Sequence, residues 1–160
     1  MLVRRSLGLV PSSALVVVMV LFGGLLTGPA GAARHAFVRV QVDTANLREG
    51  PGTEFEHVRH TYENEPLQVV RRRETWLEVR DFQGRSGWIY APLTDGRSTV
   101  VVTARLVNVR SGPATDRPVV FTAERGVNFL VLREQGGWLE VQHEDGDRGW
   151  VHGALVWGDK

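Results

Sequence analysis

Hydrophobic and polar residues alternate with a period of two in several short stretches of the chain. Val38, Val40 and Val42 are separated by Arg39 and Gln41, and similar alternation follows at 76–80 and 138–142. A period of two sends successive side chains to opposite faces of a strand, whereas an amphipathic helix repeats about every 3.6 residues. From residue 37 onward no periodic segment has the length of a helix. The pattern therefore predicts a small all-β protein.

The same pattern is written twice in the chain. Residues 37–98 align with residues 99–160 without a gap, and 19 of the 62 aligned pairs are identical. The phrase NLREGPG, which starts at Asn46, corresponds to NVRSGPA, which starts at Asn108. The segment Trp76-Leu77-Glu78-Val79 recurs intact 62 positions later. Self-similarity at a fixed offset is typical of a repeated structural unit, so any function must be one that such a unit can carry.

Further strands can be placed within each unit. They are predicted at 66–72, 76–80 and 87–90 and, in the second unit, at 128–134, 138–142 and 149–152. Asn64 occupies the position that Gly126 takes in the other unit, just before a strand. Asn and Gly share a tolerance of positive φ, so this position is predicted to need it.

Glycine marks the predicted turns. The dipeptides Gln-Gly at 83–84 and Asp-Gly at 145–146 predict hairpin turns. The Gly-Pro dipeptides at 50–51 and 112–113 predict turns in which the glycine supplies unusual backbone angles and the proline fixes its own.

The first 33 residues differ from the rest of the chain. Arg4 and Arg5 precede an apolar stretch of 13 residues from Ala14 to Leu26, and small residues follow up to Ala33. This order is typical of an export signal, and the apolar stretch is short for a helix that crosses a ~30 Å hydrocarbon core. We therefore predict a signal peptide over 1–33, a periplasmic or secreted location, and no stable membrane span after cleavage. An uncleaved anchor is the alternative.

Composition narrows the possible partners. The predicted signal holds two of the 19 basic residues and none of the 18 acidic ones, so the remaining chain carries a net charge of −1. Nucleic acid is therefore not an expected partner, because binding it needs a surplus of basic residues on one face. The chain has no cysteine, which excludes disulfides, a thiolate nucleophile and a Cys-ligated metal. Each unit must therefore be held together by apolar burial.

The repeat divides the chain after the signal into two predicted domains, at residues 34–95 and 98–160, joined by TDGRS from Thr94 to Ser98. Three motifs occur in order in each domain: Asn-x-Arg-x-Gly-Pro, a Trp-Leu-x-Val strand, and a Gly-Trp-[Ile/Val] strand after a hairpin. Together they resemble the bacterial Src-homology-3-like (SH3b) domain in tandem, over residues 37–158. The resemblance implies two small β-barrels and non-catalytic work, since many members hold exported proteins on the cell wall by binding peptidoglycan or its peptides. Arg117 departs from the family, because it stands where the first unit has Phe55 and where an aromatic residue is common, so equal binding by the two units is not expected.

Large aromatic residues on the non-core face are the candidate ligand-binding residues. Strand alternation assigns Leu77, Val79, Ile89 and their counterparts to the core and turns the neighbouring aromatic side chains outward. Such rings offer stacking surfaces for sugars or extended peptides, although a Trp in a small barrel can also seal a barrel end. The predicted ligand-binding residues are Phe55, Tyr62, Trp76, Trp88, Tyr90, Trp138 and Trp150. Both tyrosines belong to the first unit, which favours a ligand site there.

Repeated polar residues are interpreted as structural. Asn46 and Asn108 are expected to brace the following turn through side-chain bonds to backbone. Arg48 and Arg110 could bind a ligand carboxylate, but an ion pair with a nearby Glu is the preferred interpretation. The Arg71–Arg73 run is expected to lie solvated at a strand end, with contact to an anionic wall polymer as the alternative.

No catalytic or metal site is predicted. The pair His57 and His60 has no third ligand, and the second unit has Val119 and Thr122 at those positions, so neither a metal nor another cofactor is expected. Ser86, Ser98 and Ser111 lack the context of an activated nucleophile.

Three hypotheses for function follow. The leading one is an exported binding protein that recognises peptidoglycan through a peptide or glycan, with a groove lined by Phe55, Tyr62, Trp76, Trp88 and Tyr90. The second is an extracytoplasmic adaptor that docks a wall hydrolase or another envelope protein. An enzyme is the third.

Overall fold

The computed structural model describes residues 37–160, and the predicted signal peptide lies outside the described residues. Residues 37–95 form the first module. Its strands are β1 (Phe37–Val40), β2 (Thr44–Arg48), β3 (His57–Tyr62), β4 (Pro66–Arg73), β5 (Trp76–Arg80), β6 (Ser86–Tyr90) and, after a 3-10 turn at Ala91–Leu93, β7 (Thr94–Asp95).

Residues 99–158 form the second module, with the same elements 62 positions later. Its strands are β8 (Thr99–Val102), β9 (Leu106–Arg110), β10 (Val119–Glu124), β11 (Asn128–Gln135), β12 (Trp138–Gln142), β13 (Arg148–His152) and, after a 3-10 turn at Gly153–Leu155, β14 (Val156–Gly158). The prediction of two tandem all-β units is confirmed. No helix among the described residues is long and apolar enough to cross a membrane.

Each module is one antiparallel sheet that coils on itself. The strand order is β3-β2-β6-β5-β4-β1-β7 in the first module and β10-β9-β13-β12-β11-β8-β14 in the second, so the two topologies are identical. The registers are shared as well: Trp76 pairs with Tyr90 and Trp138 pairs with His152. A bulge also interrupts the same ladder in both modules, after Val69 and after Val131. The repeat is therefore structural down to single residue pairs.

Alternating apolar residues form the core of each module, as the sequence pattern predicts. Leu77, Val79 and Ile89 are buried, and so are their counterparts Leu139, Val141 and Val151. Each core lies inside its own coiled sheet, and the two form separate clusters. Full burial of one such aliphatic side chain is worth about 1.5–3 kcal/mol, which allows a unit of this size to fold without disulfides.

Positive φ angles occur at equivalent turn positions. Asn64 has φ 62° and Gly126 has φ 94°, which confirms the prediction made from that substitution. A second pair was not predicted: Glu74 has φ 53° where Gly136 has φ 57°. Glu74 is therefore a residue with a Cβ in a conformation that costs L-residues roughly 1–2 kcal/mol.

The Gly-Pro turns contain a correction. Gly50 and Gly112 are not among the residues with positive φ, so the expected unusual backbone angles are wrong for both. Gly50 is needed for space instead, because a Cβ there would lie 2.4 Å from the Phe55 ring. In the second module a Cβ on Gly112 would lie 3.1 Å from the Arg117 side chain.

The linker between the modules is shorter than the sequence predicts, because Thr94 and Asp95 form strand β7 and pair with β1.

Asp95 accepts two hydrogen bonds from the buried Arg39, at 3.0 Å from Nε and 2.5 Å from Nη2. Arg39 Nη1 donates to Asn64 Oδ1 at 3.0 Å. The Arg39 guanidinium holds the pKa of Asp95 below its ordinary value of 3.8, partly offset by burial. The counterparts in the second module are Val101, Gly126 and Trp157, so this ionic cluster belongs to the first module only.

The two modules touch through their ends. The Trp157 ring packs edge-on against Phe37 with 5.0 Å between ring centres. A Cβ on Gly158 would lie 3.1 Å from Pro66 of the first module. The last strand of the second module therefore covers part of the first.

Candidate functional site

An open groove of about 600 Å³ crosses the first module between β2, the loop at residues 49–56, β5 and the end of β6. We call it the first groove. It is lined by Thr44, Ala45, Asn46, Arg48, Pro51, Gly52, Thr53, Glu54, Trp76, Tyr90 and Leu93.

Two aromatic rings form one wall of the first groove. Trp76 and Tyr90 lie directly opposite each other on β5 and β6, with ring centres 5.6 Å apart and planes tilted by 55°. The Tyr90 side chain is exposed and Trp76 is half-buried. Rings held by strand pairing present apolar area that loses little conformational freedom on binding.

The loop opposite the rings is held in place by an arginine. Arg48 Nη1 donates to the Phe55 carbonyl oxygen at 2.7 Å, and Arg110 Nη1 donates to the Arg117 carbonyl oxygen at 2.8 Å. The structural interpretation of this arginine pair is therefore right, but the partner is a backbone carbonyl and not a glutamate. Glu54 places a carboxylate at the same groove, so its lining carries both signs of charge.

The second module has a groove at the same place, with a volume of about 330 Å³. It is lined by Leu106, Val107, Asn108, Arg110, Thr115, Trp138, His152 and Leu155. Each of these residues lies 62 positions after a residue that lines the first groove. We call it the second groove. The duplicated sequence therefore produces a duplicated concave surface.

The second groove differs in its ring pair. Trp138 packs against His152 edge to face, with ring centres 5.2 Å apart and an angle of 90°. His152 Nδ1 accepts a hydrogen bond from the Ala154 backbone N–H at 3.3 Å, which orients the imidazole. Leu106 stands at the position of Thr44, and fewer residues of the following loop line the second groove.

The structure brings together only some of the predicted ligand-binding residues. Trp76 and Tyr90 share the first groove, and Trp138 lines the second. Phe55 is exposed and lies against Gly50, outside the lining of the first groove. Tyr62 is exposed at a separate hollow with Asn64 and Gly126, so it does not belong to the first groove either. The expected grouping of Phe55, Tyr62 and Trp88 with the other two rings is therefore wrong.

Trp88 and Trp150 are the main correction. The sequence predicts that they point outward as binding surfaces, with packing as the alternative, and they are only 7% and 5% exposed, which favours packing. The alternation places them on the face away from the core, as predicted, yet Arg71 and Arg133 lie over their rings. Neighbouring side chains therefore bury these indoles on the outer face of each sheet.

Asn46 and Asn108 are predicted to brace the following turn, but the structure places both on strands that line the grooves. Both side chains are exposed on β2 and β9 and line the grooves, and among the described residues neither is found in a hydrogen bond to the following turn. Leu93 and Leu155 also line the grooves. The sequence carried a signal for these positions, because the asparagine and the leucine are each identical in the two units.

The structure also places the His57–His60 pair and the Arg71–Arg73 run. His57 and His60 lie on β3 with ring centres 4.5 Å apart, and no group of three potential metal ligands occurs within residues 37–160. The Arg71–Arg73 run lies at the end of strand β4, as expected. All three arginines are exposed, and the Arg71 guanidinium also lies over the Trp88 ring.

Comparison with known proteins agrees with this architecture. A family model described as "Bacterial SH3 domain" matches residues 41–96 and again residues 103–158. YrvJ of Bacillus subtilis, named as an N-acetylmuramoyl-L-alanine amidase, is 24% identical over 128 residues, which cover 73% of this chain and 24% of YrvJ. LytH of Staphylococcus epidermidis, named as a cell wall amidase, is 30% identical over 66 residues, which cover 41% of this chain and 23% of LytH. The chain thus spans about a quarter of the length of these curated relatives.

Among solved structures, an NlpC/P60 family protein from Bacillus cereus is similar over 76% of this chain and 55% of that chain. The sequence identity is 12% and the TM-score is 0.36.

Proposed function

Because the chain belongs to the bacterial SH3 domain family, we propose that it is an exported, non-catalytic protein that binds peptidoglycan. In this proposal each groove holds a peptide or glycan portion of the wall polymer. The predicted signal peptide would bring the protein to the extracytoplasmic side, where this polymer is found.

One observation carries the proposal: the same sequence positions line an aromatic groove in both modules. Trp76 with Tyr90 and Trp138 with His152 present a ring pair at the same place of each sheet. Core packing alone would not require the exposed Tyr90 and His152 rings beside exposed Asn46 and Asn108. Ring faces next to amide and guanidinium groups suit ligands that combine apolar faces with carbonyl and hydroxyl groups, as sugars and peptides do.

The relatives support the wall as the location of the ligand. YrvJ is named as an N-acetylmuramoyl-L-alanine amidase and LytH as a cell wall amidase. The part that resembles the present chain is about a quarter of each. A segment of that size beside a catalytic region is consistent with a targeting role. The present chain would then carry the binding function in duplicate.

A sedimentation assay with purified peptidoglycan sacculi tests the proposal. The full chain is expected to pellet with sacculi at low and high salt, and Tyr90→Ala is expected to weaken retention several-fold by removing half of the ring pair. Tyr62→Ala is the matched control, because it also removes an exposed tyrosine of the first module, but one that lies outside the groove. Retention of the wild type in the supernatant, or equal loss with both variants, would contradict the proposal.

The adaptor hypothesis makes a different prediction for the same material. Cross-linking in cells would then capture one stoichiometric envelope protein while the purified chain stays in the supernatant with sacculi. Release of soluble muropeptides during the incubation would instead indicate an enzyme.

A further inference from the structure

A separate pocket of about 410 Å³ opens in the second module, beside β10 and the hairpin that joins β12 to β13. We call it the side pocket. It is lined by Phe121, Thr122, Ala123, Glu124, Val127, His143, Asp145 and Asp147. None of these residues lines the second groove.

In the first module the region equivalent to the side pocket is occupied by side chains of the chain itself. The eight equivalent residues, 62 positions earlier, all take part in one hydrogen-bonded network: Arg59, His60, Thr61, Tyr62, Glu65, Asp81, Gln83 and Arg85. Its centre is the Arg59 side chain, whose Nη2 lies 2.6 Å from Glu65 Oε1 and 3.0 Å from Asp81 Oδ2. A guanidinium on an aliphatic stem therefore occupies the site in the first module.

The acceptors in this network are themselves well satisfied. Thr61 Oγ1 donates to Glu65 at 2.6 Å, and the Asp81 carboxylate, which is fully buried, also accepts from Arg85 Nε at 2.7 Å. Two cationic and two anionic groups thus balance one another. Buried charges persist when they are paired in this way.

In the second module every charged member of the network is replaced. Phe121 and Asp147 stand where the arginines are, and Val127 and His143 stand where the carboxylates are. Glu124 and Asp145 add acidic groups at two further positions. The lining therefore contains three carboxylates and no Arg or Lys.

The walls of the side pocket are apolar and firmly held. Phe121 and His143 both pack against Phe129, at 6.1 Å and 6.0 Å between ring centres, and Phe129 is fully buried. His143 Nδ1 also lies 3.0 Å from Asp145 Oδ2. The three acidic residues are exposed at the rim, and 73% of the Asp145 side chain is accessible.

We propose that the side pocket takes a peptide side chain with an aliphatic stem and a cationic end, of the lysine type, from a separate peptide chain. The stem would lie against Phe121, Ala123 and Val127, and the ammonium group would reach the rim carboxylates. Long cationic side chains bind in this way because the stem is desolvated while the charge stays near water and a counter-ion. In the first module the Arg59 side chain supplies a stem and a cation to the equivalent region from within the chain, with its carboxylate partners at the positions of Val127 and His143. The site is distinct from both grooves and does not depend on their function.

Titration of the ¹⁵N-labelled full chain with N-acetyl-lysine methylamide tests the proposal. We expect saturable shifts of the backbone amide signals of Ala123, Val127 and Gly146, while those of Asn108 and Trp138 in the second groove stay in place. N-acetyl-norleucine methylamide has the same stem without the ammonium group and is expected to bind about fivefold more weakly, the upper end of the range for one exposed ion pair.

Substitutions test which carboxylate of the side pocket contributes to binding of the ammonium group. Asp145→Asn keeps a good hairpin dipeptide with Gly146 and is expected to weaken binding about threefold to fivefold. Asp116→Asn is the matched control, because it removes an exposed carboxylate of the same module away from the pocket and should leave the affinity unchanged. Equal binding of the norleucine compound, equal weakening by both variants, or shifts confined to the groove residues would overturn the proposal.

Discussion

The guanidinium carbon of Arg71 lies 5.1 Å from the centre of the Trp88 ring. Arg133 stands in the same relationship to Trp150, at 4.9 Å. Each arginine also forms an ion pair with the glutamate of the neighbouring strand, Glu78 in the first module. A cross-strand row of charged side chains therefore covers an indole on the outer face of each module.

Replacing Arg71 is expected to destabilise the first module. Arg71→Ala removes the cation above the ring and the stem that shields it, so we expect a loss of about 0.5–1 kcal/mol in the free energy of unfolding. Trp88 should also become more solvated, which shifts tryptophan emission to longer wavelength. Urea denaturation followed by fluorescence measures both. Arg72→Ala removes the same charge from an exposed site on the same strand, and an equal loss there would refute the covering role.

Relieving the backbone at Glu74 is expected to stabilise the protein. An L-residue in the left-handed region costs roughly 1–2 kcal/mol, while glycine loses about 0.5–1 kcal/mol through the entropy of the unfolded chain. Glu74→Gly should therefore raise the free energy of unfolding by about 0.5 kcal/mol, measured by thermal or urea denaturation. Glu74→Ala changes the side chain without permitting positive φ and should give no gain. The reverse substitution Gly136→Glu should destabilise the second module.

The pairing of Asp95 with Arg39 predicts an acid-sensitive stability. The folded pKa of Asp95 lies below its ordinary value of 3.8, so the unfolded chain binds more protons in that range. The contribution of this pair is therefore complete above the ordinary value and is lost as pH falls through the lower folded pKa. Asp95→Asn leaves Arg39 without its counter-ion, and the stability gap between wild type and variant should narrow on acidification. Urea midpoints from pH ~5 to ~2 would test this, and a constant gap would contradict it.

A close contact shapes the loop that borders the first groove. Gly50→Ala would place a Cβ 2.4 Å from the Phe55 ring, so we expect a loss of roughly 1–3 kcal/mol as the loop shifts. In the double variant Gly50→Ala with Phe55→Ala the clash is absent, and much of the loss should be restored. A double-mutant cycle from urea denaturation measures the coupling. Additive effects would show that the ring does not limit this position.

Much of this architecture could be predicted from the sequence because the repeat reports on local backbone needs. The exchange of Asn64 for Gly126 identified a positive-φ position correctly. Glu74 opposite Gly136 carried the same information but was missed, because glutamate is not a residue that tolerates this conformation. Comparison of the two copies therefore identifies a positive-φ position only when both residues are of types that tolerate positive φ.

The candidate site was harder to predict because it depends on neighbours in space. Alternation along β6 assigned Trp88 to the correct face but could not show that Arg71, which reaches it across β5, buries the ring. For Trp76 and Tyr90 the pairing of adjacent strands was sufficient, and those two do share a groove. The exposure of a side chain thus depends on its neighbours on the adjacent strands and not on its own strand alone.

The edge-on contact between Trp157 and Phe37 has a practical meaning for anyone who wishes to study the halves separately. Cutting the chain at Gly96 would separate these two rings and leave each of them without the ring it packs against. Poor recovery of such fragments would then reflect a missing neighbour and not a failure to fold. Point substitutions in the full chain are therefore the better way to determine which module contributes to a function.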